Sequence, residues 1–146
     1  MKTGLLKISA LLTVFFITLS TASSSLAAEP VLEKESKSLA KIKNMVSNAG
    51  PHDWQTLSNC AQKLIRKGKN LDLAYEWLQK SLAINKNTQN LAVMGDYYRT
   101  SKMPYEAISY YVESMRLGRS KNDKYQDSET LAKVIEQRKI LYKYNN

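Results

Sequence analysis

The sequence is poor in the residues on which many active sites and metal sites depend. Its 146 residues include one cysteine and one histidine. The lone cysteine, Cys60, excludes a disulfide within the chain, so the fold must be held by packing alone. His52 lies about 12 Å from Cys60 along a helix, which is too far for it to activate the thiol. We expect a buried, inert thiol; an intermolecular disulfide or redox role is the alternative.

Other signatures of catalysis are also missing from the sequence. There is no glycine-rich phosphate loop and no pair of cysteines with zinc-ligand spacing, which removes the common nucleotide and zinc motifs. Glu33 and Glu35 lie in a lysine-rich stretch, where surface ion pairing is the usual role of a glutamate. We therefore expect a protein that is not an enzyme, with no catalytic residue, cofactor or metal.

The first 27 residues have the pattern of a secretory signal peptide. Lys2 and Lys7 flank the start of an apolar run of 12 residues, 8–19, which is shorter than the ~20 residues of a membrane-spanning helix. Ser25-Leu26-Ala27 fits the small-x-small rule for cleavage. We expect cleavage and a periplasmic or secreted protein without a stable membrane anchor. The alternative is a segment kept as an N-terminal anchor.

The remaining chain is basic. Loss of Lys2 and Lys7 lowers the formal net charge from +9 to +7, because no acidic residue precedes Glu29. A basic surface suits acidic proteins, anionic lipid head groups or envelope polymers. Nucleic acid is not expected, since the sequence has no basic-aromatic motif of the RNA-binding kind. The alternative is that scattered lysines only keep the protein soluble.

No stretch alternates strictly between apolar and polar residues over the length of a strand, so the sequence predicts an all-α fold. Apolar residues recur at helical spacing, and prolines, glycines and capping residues mark the joints. In the last helix the predicted apolar face comprises Leu131, Val134, Ile135, Ile140 and Leu141. Six helices are predicted, at about 30–49, 53–67, 70–84, 88–100, 104–118 and 128–143.

Two stretches of the sequence repeat each other. Ala74 to Leu78 aligns with Ala107 to Tyr111 at an offset of 33 residues, and Ser81 then aligns with Ser114. A fixed offset of this size is typical of helical hairpins that stack on one another to bury a shared core.

The second copy carries a motif, Leu91-x2-Met94-Gly95-x2-Tyr98, followed nine residues later by Ala107-x3-Tyr111. It resembles the tetratricopeptide repeat (TPR), whose pattern is W-x2-L-G-x2-Y, then A-x3-F, then P, over 34 residues. Gly95 and Ala107 are small where the two helices would cross closely, and Tyr98 and Tyr111 would fill wider space. Departures are Leu91 for the tryptophan, Ser114 for an alanine and Arg119 for the proline.

The first copy matches less well, with Ala61 and Gln62 in the Leu-Gly positions and Ile65 in the tyrosine position. The expected fold is a short α-solenoid of antiparallel helical hairpins, with about two TPR-like repeats plus flanking helices. The expected divisions are a signal peptide at 1–27, a flanking helix at 30–49, hairpins at 52–118, and a linker with a capping helix at 119–146. A generic helical bundle is the alternative.

The resemblance implies a concave groove lined by the first helix of each hairpin, in which a protein or peptide is held. Its cations would suit an acidic segment or a C-terminal carboxylate, although an ordinary solvated helix face is the alternative. Tyr97 and Tyr110 are expected to be at least partly exposed, and exposed tyrosines favour protein contacts; packing between the hairpins is the alternative. Carried onto this sequence, the groove positions are Asn59, Lys63, Arg66, Lys67, Gln89, Val93, Asp96 and Arg99.

Together these features predict an exported adaptor that binds a protein partner through a basic TPR-like groove, in envelope or secretion-system assembly. The rival prediction is a secreted or periplasmic inhibitor or immunity-type protein that blocks an enzyme. A cell-wall enzyme ranks below both, because it needs an acid-acting glutamate in a cleft.

Overall fold

The computed structural model describes residues 29–144, with side chains from residue 37 onward. The predicted signal peptide and its cleavage site lie outside the described residues. Within them the fold is all-α and contains no strand, as predicted. The helices are α1 (Glu29–Ser47), α2 (Trp54–Lys67), α3 (Leu71–Ile84), α4 (Thr88–Thr100), α5 (Pro104–Lys121) and α6 (Ser128–Tyr144).

The helices stack as a row of antiparallel neighbours joined by short loops. α2 pairs with α3 and α4 pairs with α5, which gives two helical hairpins, and α4 packs on both helices of the first hairpin. α1 packs on α2 at one end of the row, and α6 packs on α5 at the other. No helix between residues 29 and 144 is both long and apolar enough to cross a membrane.

Three helices begin with the same type of cap. The side chains of Asp53, Asn87 and Asp127 precede α2, α4 and α6, and each accepts a hydrogen bond from the amide three residues later at 2.9–3.1 Å. Such a bond satisfies an otherwise unpaired amide of the first turn. The three caps give α2, α4 and α6 a common register, because residues can be counted from each cap along a continuous helix.

Counted from the caps, Ala61 of α2 is equivalent to Gly95 of α4, both eight residues on. The sequence alignment, at an offset of 33, places Gln62 opposite Gly95, and counting from the caps shifts this pairing by one residue. The reason is that α2 has 14 residues and α4 has 13, so the offset is 34 at the helix starts and 33 in the second helices. With the caps aligned, a small buried residue occupies this position in both hairpins.

Gly95 lies where α4 and α5 approach most closely. A Cβ atom added to it would lie 2.4 Å from two ring carbons of Tyr111, far inside van der Waals contact. Tyr111 and Ala107 of α5 are fully buried. The Tyr111 ring therefore occupies the space that any side chain at residue 95 would need.

The aligned serines make equivalent hydrogen bonds in the two hairpins. The hydroxyl of Ser81 donates to the carbonyl of Trp54 at 2.8 Å, and that of Ser114 donates to the carbonyl of Thr88 at 2.8 Å. Each bond ties the second helix of a hairpin to the first residue of its first helix. Both serines are fully buried, and the hydrogen bond that each hydroxyl donates offsets the cost of burying that hydroxyl.

The two hairpins are joined by a buried amide. Asn90 donates through Nδ2 to the carbonyl of Asn85 at 2.6 Å and to the hydroxyl of Ser81 at 3.2 Å. Its Oδ1 accepts from the amide of Asn87 at 3.0 Å, while the Asn87 side chain accepts from the Asn90 amide at 3.1 Å. These bonds fix the end of α3 against the start of α4.

Some predicted boundaries differ from the structure. Gly118 does not end α5, which continues to Lys121, so the linker to α6 is 122–127 rather than 119–127. Gly118 is instead buried under the ring of Tyr125, with ring carbons 2.3–2.7 Å from where its Cβ would be. Asn70 precedes α3, but with a left-handed φ of 53° and no side-chain cap bond.

The predicted apolar face of α6 is also wrong in part. Val134 is buried and Leu141 is half-buried, but Leu131, Ile135 and Ile140 are exposed. The helix turns Thr130, Val134 and Gln137 inward instead. Apolar residues cover more of this helix than its contact with α5 and α4 can bury.

Candidate functional site: a basic groove between α2, α4 and α6

A groove of about 570 Å³ runs along the face formed by α2, α4 and α6. Four cations line it and two carboxylates oppose them, so the groove carries a net positive charge at neutral pH. The remaining lining residues are neutral and mostly small or polar. The lining comprises Gln62, Ile65, Arg66, Lys67 and Gly68 of α2 and its cap, Asp96, Arg99 and Thr100 of α4, and Glu129 and Lys133 of α6.

The floor of the groove is an ion network centred on Asp96, which is only 7% exposed. Its carboxylate accepts a hydrogen bond of 2.7 Å from the hydroxyl of Tyr111 and lies 3.2 Å from Nζ of Lys133. Nε of Arg99 lies 3.7 Å away. A buried carboxylate is costly unless it is paired, so Asp96 is committed to these partners and not to a ligand.

Lys133 connects α6 to this network. Its Nζ is 3.0 Å from the carboxylate of Glu129, one turn earlier on α6, as well as being paired with Asp96. Burial opposes the charge of Lys133, but hydrogen bonds and charge interactions with Glu129 and Asp96 outweigh it and raise the pKa of Lys133. Burial and the Asp96 carboxylate likewise raise the pKa of Tyr111, which keeps its hydroxyl a donor.

Four of the predicted groove residues come together in this site: Arg66, Lys67, Asp96 and Arg99. Lys67 also donates to the hydroxyl of Ser38 of α1 at 2.7 Å. Arg66 and Lys67 are both exposed, and Arg99 keeps about two fifths of its side chain in solvent (39%), but only the two arginines carry the planar donor fork that matches a carboxylate. Their guanidinium groups are the cations best placed to meet a ligand.

Other predicted groove residues lie elsewhere. Lys63 is turned toward α1, where its Nζ is 3.9 Å from the sulfur of Met45. Asn59 and Gln89 form an exposed amide pair, 3.1 Å apart, that bridges α2 and α4. Val93 is buried in the hydrophobic core and cannot line a groove, because α4 turns that position toward α2.

The predicted tyrosines belong to a separate aromatic cluster formed by Tyr75, Tyr97, Tyr98 and Tyr110. The ring centroids of Tyr75 and Tyr97 are 5.1 Å apart, and those of Tyr98 and Tyr110 are 5.2 Å apart. All four are half-buried. Tyr97 and Tyr110 therefore pack between α3, α4 and α5 and do not line the groove.

Sequence reasoning missed the contribution of α6, which supplies Glu129 and Lys133. The signal was present, since α6 begins with the same kind of cap as the two predicted groove helices. Asp53-x2-Thr-Leu, Asn87-x2-Asn-Leu and Asp127-x2-Thr-Leu recur in the sequence. That recurrence marks α6 as a third helix of the groove-lining type.

The two residues with potential reactivity are not near this groove. Cys60 is fully buried and unpaired, and burial raises the pKa of its thiol, which disfavours the reactive thiolate. His52 is exposed in the loop between α1 and α2. Within the described part of the chain, no group of three or more acidic, histidine or cysteine side chains could hold a metal ion.

A scan against protein-family models and searches of curated proteins and solved structures found no match to this chain.

Proposed function

We propose that the protein is a non-enzymatic adaptor that binds an acidic segment of a protein partner in the groove between α2, α4 and α6. The observation that carries this proposal is the arrangement of charge in the groove. Both carboxylates there are paired with Lys133, at 3.2 Å for Asp96 and 3.0 Å for Glu129. Arg66 therefore stays an exposed donor on α2, and Arg99 of α4, whose Nε lies 3.7 Å from Asp96, keeps 39% of its side chain in solvent.

Arginine suits this role because its planar guanidinium group donates in a fork that matches a carboxylate. A row of such groups along a groove favours an extended chain with carboxylates at intervals over a single small anion. The internal pairing of Asp96 supports this reading further, since the carboxylate fixes the orientation of Lys133 and Arg99 without repelling the ligand strongly.

We further propose that binding takes place in the periplasm or the secreted fraction, because the sequence of residues 1–27 has the pattern of a signal peptide; the TPR resemblance of the hairpins supports the binding role. The proposal on export has its own test, which is the mass of the protein purified from its host. A mass that corresponds to a chain beginning at residue 28 or 29 supports export, and the mass of the uncleaved chain contradicts it.

Binding can be tested with a fluorescein-labelled peptide of alternating glutamate and glycine, whose anisotropy is followed on titration with the mature protein. We expect binding that weakens as salt rises, because exposed charges are screened. The double substitution Arg66→Ala and Arg99→Ala should weaken binding by about tenfold, since exposed pairs contribute up to ~1 kcal/mol each.

The matched control removes two exposed arginines of α5, Arg116→Ala and Arg119→Ala. It changes the net charge by the same amount but leaves the groove intact, so binding should change less than twofold. An equal loss in both variants would mean that the peptide senses only net charge. That result would refute the groove.

A further inference from the structure

The first helices of the two hairpins provide a template for reading α6. Four residues after the cap they carry Leu57 and Leu91, and seven residues after it they carry Cys60 and Met94. The corresponding residues of α6 are Leu131 and Val134. The chemical pattern of an inner face is thus repeated a third time.

Burial does not follow the pattern. The position seven residues from the cap is buried in all three helices. The position four residues from the cap is 8% and 0% exposed in Leu57 and Leu91 but 47% exposed in Leu131. At the position eight residues from the cap, Ala61 is 0% exposed and Gly95 is buried, whereas Ile135 is 46% exposed.

The difference has a clear cause in the packing. In α4 the residue eight positions from the cap, Gly95, lies under Tyr111 of α5, the second helix of its own hairpin. In α2 the equivalent Ala61 shares a buried cluster with Ala74 and Leu78 of α3. Among the described residues no helix packs over Leu131 and Ile135 in this way, and both stay about half exposed. Leu131 and Ile135 therefore lie where the second helix of a third hairpin would pack.

Charge identifies what kind of helix fits there. Eleven residues from the cap, the buried Leu64 and half-buried Tyr98 are replaced in α6 by the exposed Arg138, with the exposed Lys139 beside it. At the start of the same helix, the carboxylate of Asp127 is occupied by the amide and hydroxyl of Thr130, at 2.9 and 2.7 Å. Glu136 interacts with Arg99 on the groove side of α6.

We propose that this face of α6, defined by Leu131, Ile135 and Arg138, binds an amphipathic helix of another protein whose apolar side is flanked by acidic residues. The bound helix would complete the third hairpin and lie antiparallel to α6. A second copy of this chain fits less well, because pairing α6 with itself would bring Arg138 and Lys139 of both copies together.

The proposal goes beyond the groove, since the two surfaces lie on different sides of α6. The large side chain of Ile135 also restricts which residues the bound helix can have at this contact. Where Ala61 and Gly95 admit a close neighbour, Ile135 holds a helix farther away. Because the Ile135 side chain already fills the space that the Tyr111 ring takes over Gly95, aliphatic residues such as leucine on the bound helix would fit better than a ring.

The test uses a labelled 18-residue peptide, the length of α5, with leucines at helical spacing and glutamates on the flanks. A second peptide carries lysines in place of the glutamates, and a third has the same composition with the leucines scattered. Anisotropy titrations with the full chain should show binding of the first peptide at least about tenfold tighter than the other two.

Leu131→Asp with Ile135→Asp should reduce binding of the glutamate-flanked peptide by at least about tenfold. The matched control, Val112→Asp with Tyr105→Asp, adds the same two charges at residues of α5 that are 39% and 65% exposed and should leave it unchanged. Arg66→Ala with Arg99→Ala should also leave it unchanged, which separates this surface from the groove.

The circular dichroism spectra of the variants without peptide should match that of the unsubstituted protein, since Leu131 and Ile135 are both about half exposed. Equal binding of the three peptides, or binding unaffected by the aspartates, would overturn the proposal. So would a dimer in sedimentation that the aspartates convert to a monomer, because the surface would then belong to a second copy.

Discussion

The contact between Gly95 and Tyr111 makes a strong prediction about stability. In an exposed helix, alanine in place of glycine stabilises by about 1 kcal/mol. Here the new methyl group would lie 2.4 Å from two carbons of the Tyr111 ring. The ring cannot turn away easily, because it is fully buried and its hydroxyl is bonded to Asp96 at 2.7 Å.

The sign of the effect follows from two opposing magnitudes. Forcing an extra carbon into a packed core costs about 1–3 kcal/mol, and a ring fixed at both ends places Gly95→Ala at the upper end of that range. After the gain in helix propensity is subtracted, the variant should lose about 1–2 kcal/mol of unfolding free energy. Urea unfolding followed by far-ultraviolet circular dichroism measures this loss, with an unchanged slope against denaturant.

Two variants test the cause. Gly118→Ala meets a ring at a similar distance, but Tyr125 is only half-buried and lies in the linker, so its cost should be smaller. The double change Gly95→Ala with Tyr111→Leu recreates the Ala61 and Leu78 combination of the first hairpin. It should show a favourable coupling of about 1 kcal/mol. An alanine at residue 95 that stabilises the protein would refute the close crossing.

Two further predictions concern the hydrogen bonds at helix starts. Ser114→Ala should cost about 1 kcal/mol in urea unfolding, because the carbonyl of Thr88 loses its donor at 2.8 Å, whereas Ser120→Ala, whose bond is exposed, should cost little. Burial opposes the charge of Asp127, but bonds from Thr130 and Tyr125 lower its pKa below 3.8. The contribution of Asp127 to stability is therefore complete above the pKa of the unfolded state and is lost as the pH falls through the lower pKa of the folded state. The Asp127→Asn variant should lose less unfolding free energy in acid than the unsubstituted protein, and an equal loss would contradict this prediction.

The helices and their order were accessible from the sequence because each depends on local features. Caps at Asp53 and Asn87 and the proline at residue 104 fix helix starts without help from distant residues. The repeat was visible for the same reason, since Ala74 and Ala107 are small where the helices cross. Features that depend only on neighbouring residues can be read from one sequence without knowledge of the fold.

The burial of α6 and the composition of the groove were less accessible. Periodicity indicates that α6 has apolar residues on one side, but it cannot say how wide a face its neighbours cover. Nor can spacing tell that Asp96 turns inward to Tyr111, fifteen residues away, or that Lys63 turns toward α1. Those outcomes depend on how helices far apart in the sequence pack together.

The amide of Asn90 has a consequence for how a ligand is received. Bonds of 2.6–3.2 Å to Asn85, Asn87 and Ser81 fix the start of α4 against the end of α3, so the helix that carries Arg99 is held in place on the first hairpin before any ligand arrives. A preorganised surface loses little conformational entropy on association. In the proposed function, such a surface would also reject chains whose carboxylates fall at the wrong interval. Selectivity for a ligand's spacing would thus originate in an uncharged side chain that the ligand never touches.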